Sequence, residues 1–209
     1  MVGELERIEE EYPYLQRELD RMARRRWIFR FVKRHGVGAE VGVFRGRFSE
    51  LLVKRLKPRK IYLIDPWTQL GEFFNLVPAY TNDGKLPTKV AKRETELRMS
   101  RYPGVEVRIE EGYFLDAVGK IEERLDWIYI DGSHLYQDVL NDLHAASGIL
   151  KDDGKIMGDD WQPNPAKRTY DVFRAVQAFT RATDYQIIGA GDGQYCLRRE
   201  LPYSAAEDS

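Results

Sequence analysis

A strand–helix rhythm constrains this chain more than any other feature. Short apolar runs recur as "AEVGV" (39–43), "KIYLID" (60–65), "VEVRI" (105–109), "DWIYID" (126–131) and "GKIMGDD" (154–160). Between them lie stretches with helical periodicity at 47–56, 88–101, 113–123, 135–149 and 168–182. That alternation predicts a mostly parallel sheet covered by helices on both faces. Right-handed crossovers then leave few topologies. The rhythm breaks at the end, where strands at 185–190 and 194–199 are joined by "GAGDG". So short a connection cannot make a parallel crossover, so the sheet is expected to end with an antiparallel strand. Residues 4–33 read as one or two helices interrupted at Pro13, with Leu15, Leu19, Met22, Ile28, Phe29 and Val32 on one face. Residues 66–87, rich in proline, glycine and aromatics, read as an irregular insertion.

Composition narrows the partners. A chain of 209 residues suits one α/β domain. Its 34 acids and 33 bases nearly cancel, so no net field argues for nucleic acid or an anionic membrane. The run "RRR" at 24–26 reads as the solvated face of a helix. Cys196 is the only cysteine, which excludes an internal disulfide and fits a reducing, cytoplasmic setting. The start, "MVGELERIEEEY", has no apolar signal core, and no run reaches the ~20 apolar residues of a membrane helix.

In open α/β sheets ligands bind beyond the carboxyl ends of the strands. The polar features collect at that rim. The first strand ends in "EVGVFRG", the second at Asp65, the fourth at Asp131 and the fifth at Asp159–Asp160. Gly42 permits a tight turn, and the helix after Gly46 offers unpaired N–H groups that suit a carboxylate or phosphate. The G-x-x-x-G spacing is neither a dinucleotide fingerprint nor a P-loop. Asp65, about 20 residues past that turn, is placed to accept ribose hydroxyls. Asp131, Asp159 and Asp160 end neighbouring strands, and three carboxylates together call for protons or a cation. Oxygen ligands suit Mg2+, Mn2+ or Ca2+. Alone, each could be a helix cap or a polar loop start. His134, three residues beyond Asp131, can take a proton near neutrality. His35 and His144 are assigned no role, and Asp138 and Asp142 are expected to face solvent. Trp67, Phe73, Phe74, Tyr80 and Trp161 fall in segments beside the rim, either to cover a ligand or to anchor the insertion.

The strings "AEVGVFRGRFSELL", "YLIDPW", "DWIYIDGSHLYQDVLNDL" and "LKDDGKIMGDDW" resemble the class I S-adenosylmethionine-dependent methyltransferases. Within them the chain is similar to the metal-dependent macrolide and aminocoumarin sugar O-methyltransferases. The resemblance covers residues 37–200 and implies a Rossmann-like, doubly wound α/β fold, with a seven-stranded sheet and a reversed last strand. It implies that Glu40, Gly42, Gly46 and Ser49 hold the methionine moiety of S-adenosylmethionine and that Asp65 binds its ribose. It also implies Mg2+ on Asp131, Asp159 and Asp160, with His134 as the base. Two positions depart from the pattern: "LKDDG" stands before the fifth strand, and Tyr113 stands where a small residue often follows the third.

The expected organisation is an N-terminal helical segment (1–36), a methyltransferase domain (37–200) with a substrate-side insertion (66–101), and a tail (201–209). The expected activity is metal-assisted O-methylation of a small-molecule hydroxyl, on a sugar or a catechol-like diol. A metal-independent methyltransferase and a non-catalytic cofactor-binding module are the alternatives, and a homo-oligomer is expected to be open to it.

Overall fold

The computed structural model describes residues 3–70, 86–167 and 169–200. The N-terminal segment forms α1 (Glu4–Glu11) and α2 (Gln16–Arg25), then tightens into a 3-10 helix over Arg26–Phe31. The alternating part follows as β1 (Val37–Val41), α3 (Arg47–Leu56), β2 (Lys60–Asp65), α4 (Thr88–Met99), β3 (Glu106–Glu111), α5 (Phe114–Ala117), β4 (Leu125–Ile130), α6 (Tyr136–Ile149), β5 (Leu150–Gly158) and α7 (Tyr170–Ala182). It closes with β6 (Tyr185–Gly191) and β7 (Gln194–Arg199).

These strands make one seven-stranded sheet in the order β3-β2-β1-β4-β5-β7-β6. β7 runs antiparallel to both β5 and β6, so the reversed last strand is present. Period-two alternation loads both faces. Val37, Ala39, Val41, Ile128 and Ile130 point to the layer holding α6 and α7. Ile61, Leu63, Trp127 and Tyr129 point to the layer holding α3 and the 3-10 helix. Burying each such large apolar side chain contributes about 1.5–3 kcal/mol, which is why these runs read as nearly continuous hydrophobic stretches.

Three expectations shift. β5 begins at Leu150, not after the "KDDG" turn, and its register with β4 slips between Leu125 and Trp127. The slip lets Asp152 and Asp153 stay exposed within a strand. The helix expected over 113–123 is one turn plus a 3-10 turn at Val118–Lys120. α4, whose sequence reads as a charged helix, buries Glu94, Thr95 and Arg98.

The carboxyl rim is stitched by backbone hydrogen bonds. Gly42 N–H donates to Ile64 O (2.9 Å), Asp131 N–H to Val41 O (2.8 Å), and Asp159 N–H to Ile130 O (3.1 Å). Each bond hands the ladder to the next strand and sets the residues after it on one edge. Phe73, Phe74 and Tyr80, with the 201–209 tail, lie outside the described residues.

Candidate functional site

At the β1–β2 end of the rim the acids face inward. Gly42 has φ +85°, and a Cβ there would lie 1.9 Å from the Asp131 carbonyl oxygen, so only glycine fits. The turn continues through Phe44 (φ 56°) and Gly46 (φ 69°) into α3. Asp65 is 1% exposed and accepts three backbone N–H groups, from Val43 (2.8 Å), Phe44 (2.9 Å) and Trp67 (2.9 Å). The fully buried Trp67 donates its indole N–H to Phe44 O at 2.8 Å. The carboxylate expected to meet a ribose therefore clamps the glycine turn in this conformation. Glu40 lies beneath it, and its Oε2 accepts a hydrogen bond from the Ser49 hydroxyl. Burial raises the Glu40 carboxyl to about 8, against the pull of that hydrogen bond and of Arg25. Its Oε1 is buried with no hydrogen-bond partner. A ligand ammonium would complete that acceptor, as the expected methionine subsite requires.

A second device holds the same turn from outside. Arg45 is buried, donates through Nε to Glu94 Oε2 (2.6 Å) and through a terminal nitrogen to Tyr12 O (2.6 Å), and lies over the Tyr14 ring. Arg98 joins Glu94 (2.8 Å) and Glu50 (3.0 Å) in the same network. The N-terminal segment is thus tied by buried charge to α4 and to the turn after β1.

At the β4–β5 end the acids meet cations. His134 Nε2 lies 2.6 Å from Asp160 Oδ2, both half-buried. Asp131, His134 and Asp160 each offer one ligand atom, all within 4.8 Å of one another. Asp160 sits at φ 58°, a strained turn that aims its carboxylate back toward His134. Although burial pushes its carboxyl up, the bond to His134 and the charges of Arg21 and Arg25 leave it below the ordinary value. Asp131 moves the other way: burial lifts it to about 7, with Arg25 opposing and Asp159 and Asp160 adding to the rise.

Arg25 is the residue that sequence reasoning missed. It is 4% exposed, not solvated, and its guanidinium bridges Asp131 and Asp159, with Nε 3.0 Å from Asp159 Oδ2. The rings of Phe48 and Tyr129 lie 5.0 and 5.7 Å from it. Burial alone would lower its pKa, yet the Asp131, Tyr129 and Asp159 charges hold it well above the usual value. The only cue in the sequence was its place one turn before buried Ile28.

This pairing bears on the expected metal set. Two of the three aspartates are engaged by a buried cation, so Asp131, Asp159 and Asp160 do not fit Mg2+ together while α2 is docked. Asp131, His134 and Asp160 also converge, a set whose imidazole suits Mn2+ or another transition metal better than Mg2+, but Asp131 is held by Arg25 there too, so a cation on it would have to displace the guanidinium. Other expectations also change. Asp142 is buried at 9% exposure, while Asp138 is exposed and accepts a hydrogen bond from Ser133 Oγ at 2.6 Å. Burial, with Asp138 adding to it, raises Asp142 to about 7. Trp161 packs on Phe173 and Tyr195, so it anchors the loop after β5. His144 is an exposed helix residue against Phe179.

No helix among the described residues is long and apolar enough to cross a membrane. No curated protein matches the chain in sequence. Its fold is that of several solved enzymes. The O-methyltransferase TomG from Streptomyces achromogenes, solved with S-adenosylmethionine, superposes with a TM-score of 0.57 at 13% identity, over 94% of this chain and 89% of that one. The O-methyltransferase NovP gives 0.60 at 18% identity, over 88% and 79%. An rRNA methylase from Streptococcus thermophilus gives 0.54 at 10% identity, over 90% and 99%. A family described as "Methyltransferase domain" matches residues 39–161, from β1 through the rim acids to Trp161. The chain belongs to that methyltransferase-domain family and has the class I S-adenosylmethionine-dependent fold its sequence led one to expect.

Proposed function

We propose that this protein transfers the methyl group of S-adenosylmethionine to a hydroxyl of a small molecule, a sugar or a catechol-like diol. The observation that carries the reading is the His134–Asp160 pair, 2.6 Å apart, at the rim beside Asp131. S-adenosylmethionine, when bound, supplies an electrophilic methyl on a sulfonium. Glu40, Ser49 and the Gly42–Gly46 turn would hold its methionine part, and the orphaned Glu40 oxygen supports an ammonium there. Asp65 would accept a ribose hydroxyl on Oδ1, the oxygen that also takes the Trp67 N–H.

An alcohol is a poor nucleophile until its proton leaves. Asp160 fixes the tautomer of His134 by accepting a hydrogen bond from Nε2–H, which makes Nδ1 the basic nitrogen. His134 accepts the hydroxyl proton as the O–CH3 bond forms and the S–CH3 bond breaks, and S-adenosylhomocysteine leaves. Arg25 pairs with both Asp131 and Asp159, so the developing alkoxide does not face unpaired carboxylates. The near-zero net charge supports a small acceptor over nucleic acid. A second reading, metal-assisted transfer, is favoured by the convergence of Asp131, His134 and Asp160 within 4.8 Å.

The test is calorimetric titration of S-adenosylmethionine and then Mg2+ or Mn2+, followed by methyl transfer to diol acceptors in EDTA. Cofactor binding with activity retained in EDTA supports the base-assisted reading. Activity lost in EDTA and restored by cation supports the metal reading. Absence of cofactor binding overturns the proposal.

A further inference from the structure

Beyond Asp159 and Asp160 the rim opens into a pocket of about 290 Å³. Arg21 and Arg24 of α2 form one wall, and Trp161 and Asp192 stand among the others. That volume is at the lower end of small-molecule sites. The three arginines that α2 turns toward it are used differently. Arg25 is buried on Asp131 and Asp159. Arg21 and Arg24 are exposed and form no hydrogen bond or ion pair among the described residues. The acids facing the same space are mostly committed, Asp159 to Arg25 and Asp160 to His134. Arg21 acts on Asp131 and Asp160 through its charge without bonding to either, and Arg24 and Asp192 complete the charged lining.

Residues three apart on a helix stand about 5–6 Å from each other at Cβ, so two guanidinium groups can fork one anion. Arginine suits this because its planar donors match carboxylate and phosphate oxygens. We propose that the methyl acceptor carries an anionic group, a carboxylate or a phosphate, held by Arg21 and Arg24. Anchored there, the acceptor lies against Asp160 and presents its hydroxyl toward His134. This inference rests on the methyltransferase reading above and adds the charge of the substrate to it.

The test compares matched probes by calorimetry at low ionic strength, where such contacts are least screened. Protocatechuate is set against its neutral amide, and glycerol phosphate against glycerol, so that carboxylate and phosphate are read separately. At least one anion should bind about tenfold tighter than its neutral partner. That advantage should vanish in R21Q/R24Q, whose exposed positions leave folding intact, and should survive in part in R21K/R24K. Equal affinity for charged and neutral probes, no anion binding at millimolar concentration, or an advantage untouched in R21Q/R24Q each overturns the proposal. S-adenosylmethionine titrated into the same samples separates the two claims. Cofactor binding without anion preference removes only this inference, whereas anion preference without cofactor binding leaves an anion site on Arg21 and Arg24 but removes the methyltransferase reading and, with it, the claim that the anion belongs to a methyl acceptor.

Discussion

Asp65 at the end of β2 and Asp131 at the end of β4 flank the same central strand, yet their carboxylates are satisfied in opposite ways. Asp65 takes three backbone N–H groups, none more than 22 residues away, and becomes part of the turn it supports. Asp131 takes a guanidinium delivered from α2, 106 residues away, and stays at the edge of a cluster with His134 and Asp160. Backbone donors are fixed once the fold forms, whereas a side-chain cation can be moved, exchanged or removed. One half of the rim is therefore built to hold a shape, and the other to hold charge that a reaction can use.

Four perturbations test that contrast. His134→Gln removes the proposed base and should lower kcat by about 10²–10⁴-fold with little change in unfolding free energy, read by steady-state kinetics and denaturant titration. A matching loss of stability would make His134 structural. Arg25→Met leaves Asp131 and Asp159 buried without a cation and should cost about 3–5 kcal/mol in urea unfolding. Adding Asp159→Asn should recover part of the loss, and full additivity would break the proposed coupling. Asp65→Ala orphans three N–H groups and should cost about 2–3 kcal/mol, with S-adenosylmethionine affinity falling alongside.

The smallest effect belongs to Asp142. Burial raises its carboxyl from 3.8 to about 7 in the folded protein. The folded state therefore binds the extra proton between those values, and stability falls as pH rises through the window. The contribution is whole below about pH 4 and gone above about pH 7. Asp142→Asn should flatten that slope and stabilise the protein by about 1–2 kcal/mol at pH 8, measured by unfolding across pH. An unchanged slope would assign the pH dependence to other groups.

Much of this was legible in the sequence because the sheet imposes its own punctuation. Apolar runs that stop at Asp65, Asp131 and Asp159 mark the rim, and the glycine connection before β7 marks the reversal. What escaped depends on side-chain partners far away in sequence. Arg25 sits where α2 passes into a 3-10 helix, so the period changes from 3.6 to 3.0 and the face cannot be extrapolated. Glu94 and Arg98 lie in a helix read only as charged, but Arg45, 49 residues from Glu94, reaches Glu94 from the β1 turn, and Arg98 pairs with the same carboxylate. Asp142 adjoins Leu143 on the edge of the buried stripe of α6, where a step of 100° per residue does not separate covered from open. His134 and Asp160 were each singled out, but their pairing required the positive φ at Asp160.

The bridge from Arg25 to Asp159 spans 134 residues. A chain made from its N-terminus exposes α2 long before the strands carrying Asp131 and Asp159 exist, and synthesis at about 5–20 residues per second stretches that wait over many seconds. The rim's charge balance is consequently expected to be completed late, when an early helix closes over a sheet finished after it. Pulse-labelled amides in 16–25 acquiring protection after those of β1 and β4 would display that order directly. The N-terminal helices then act as the closing piece of the domain's assembly, and exchanging them between relatives would transplant the neutralising charge together with the arginines that face the pocket.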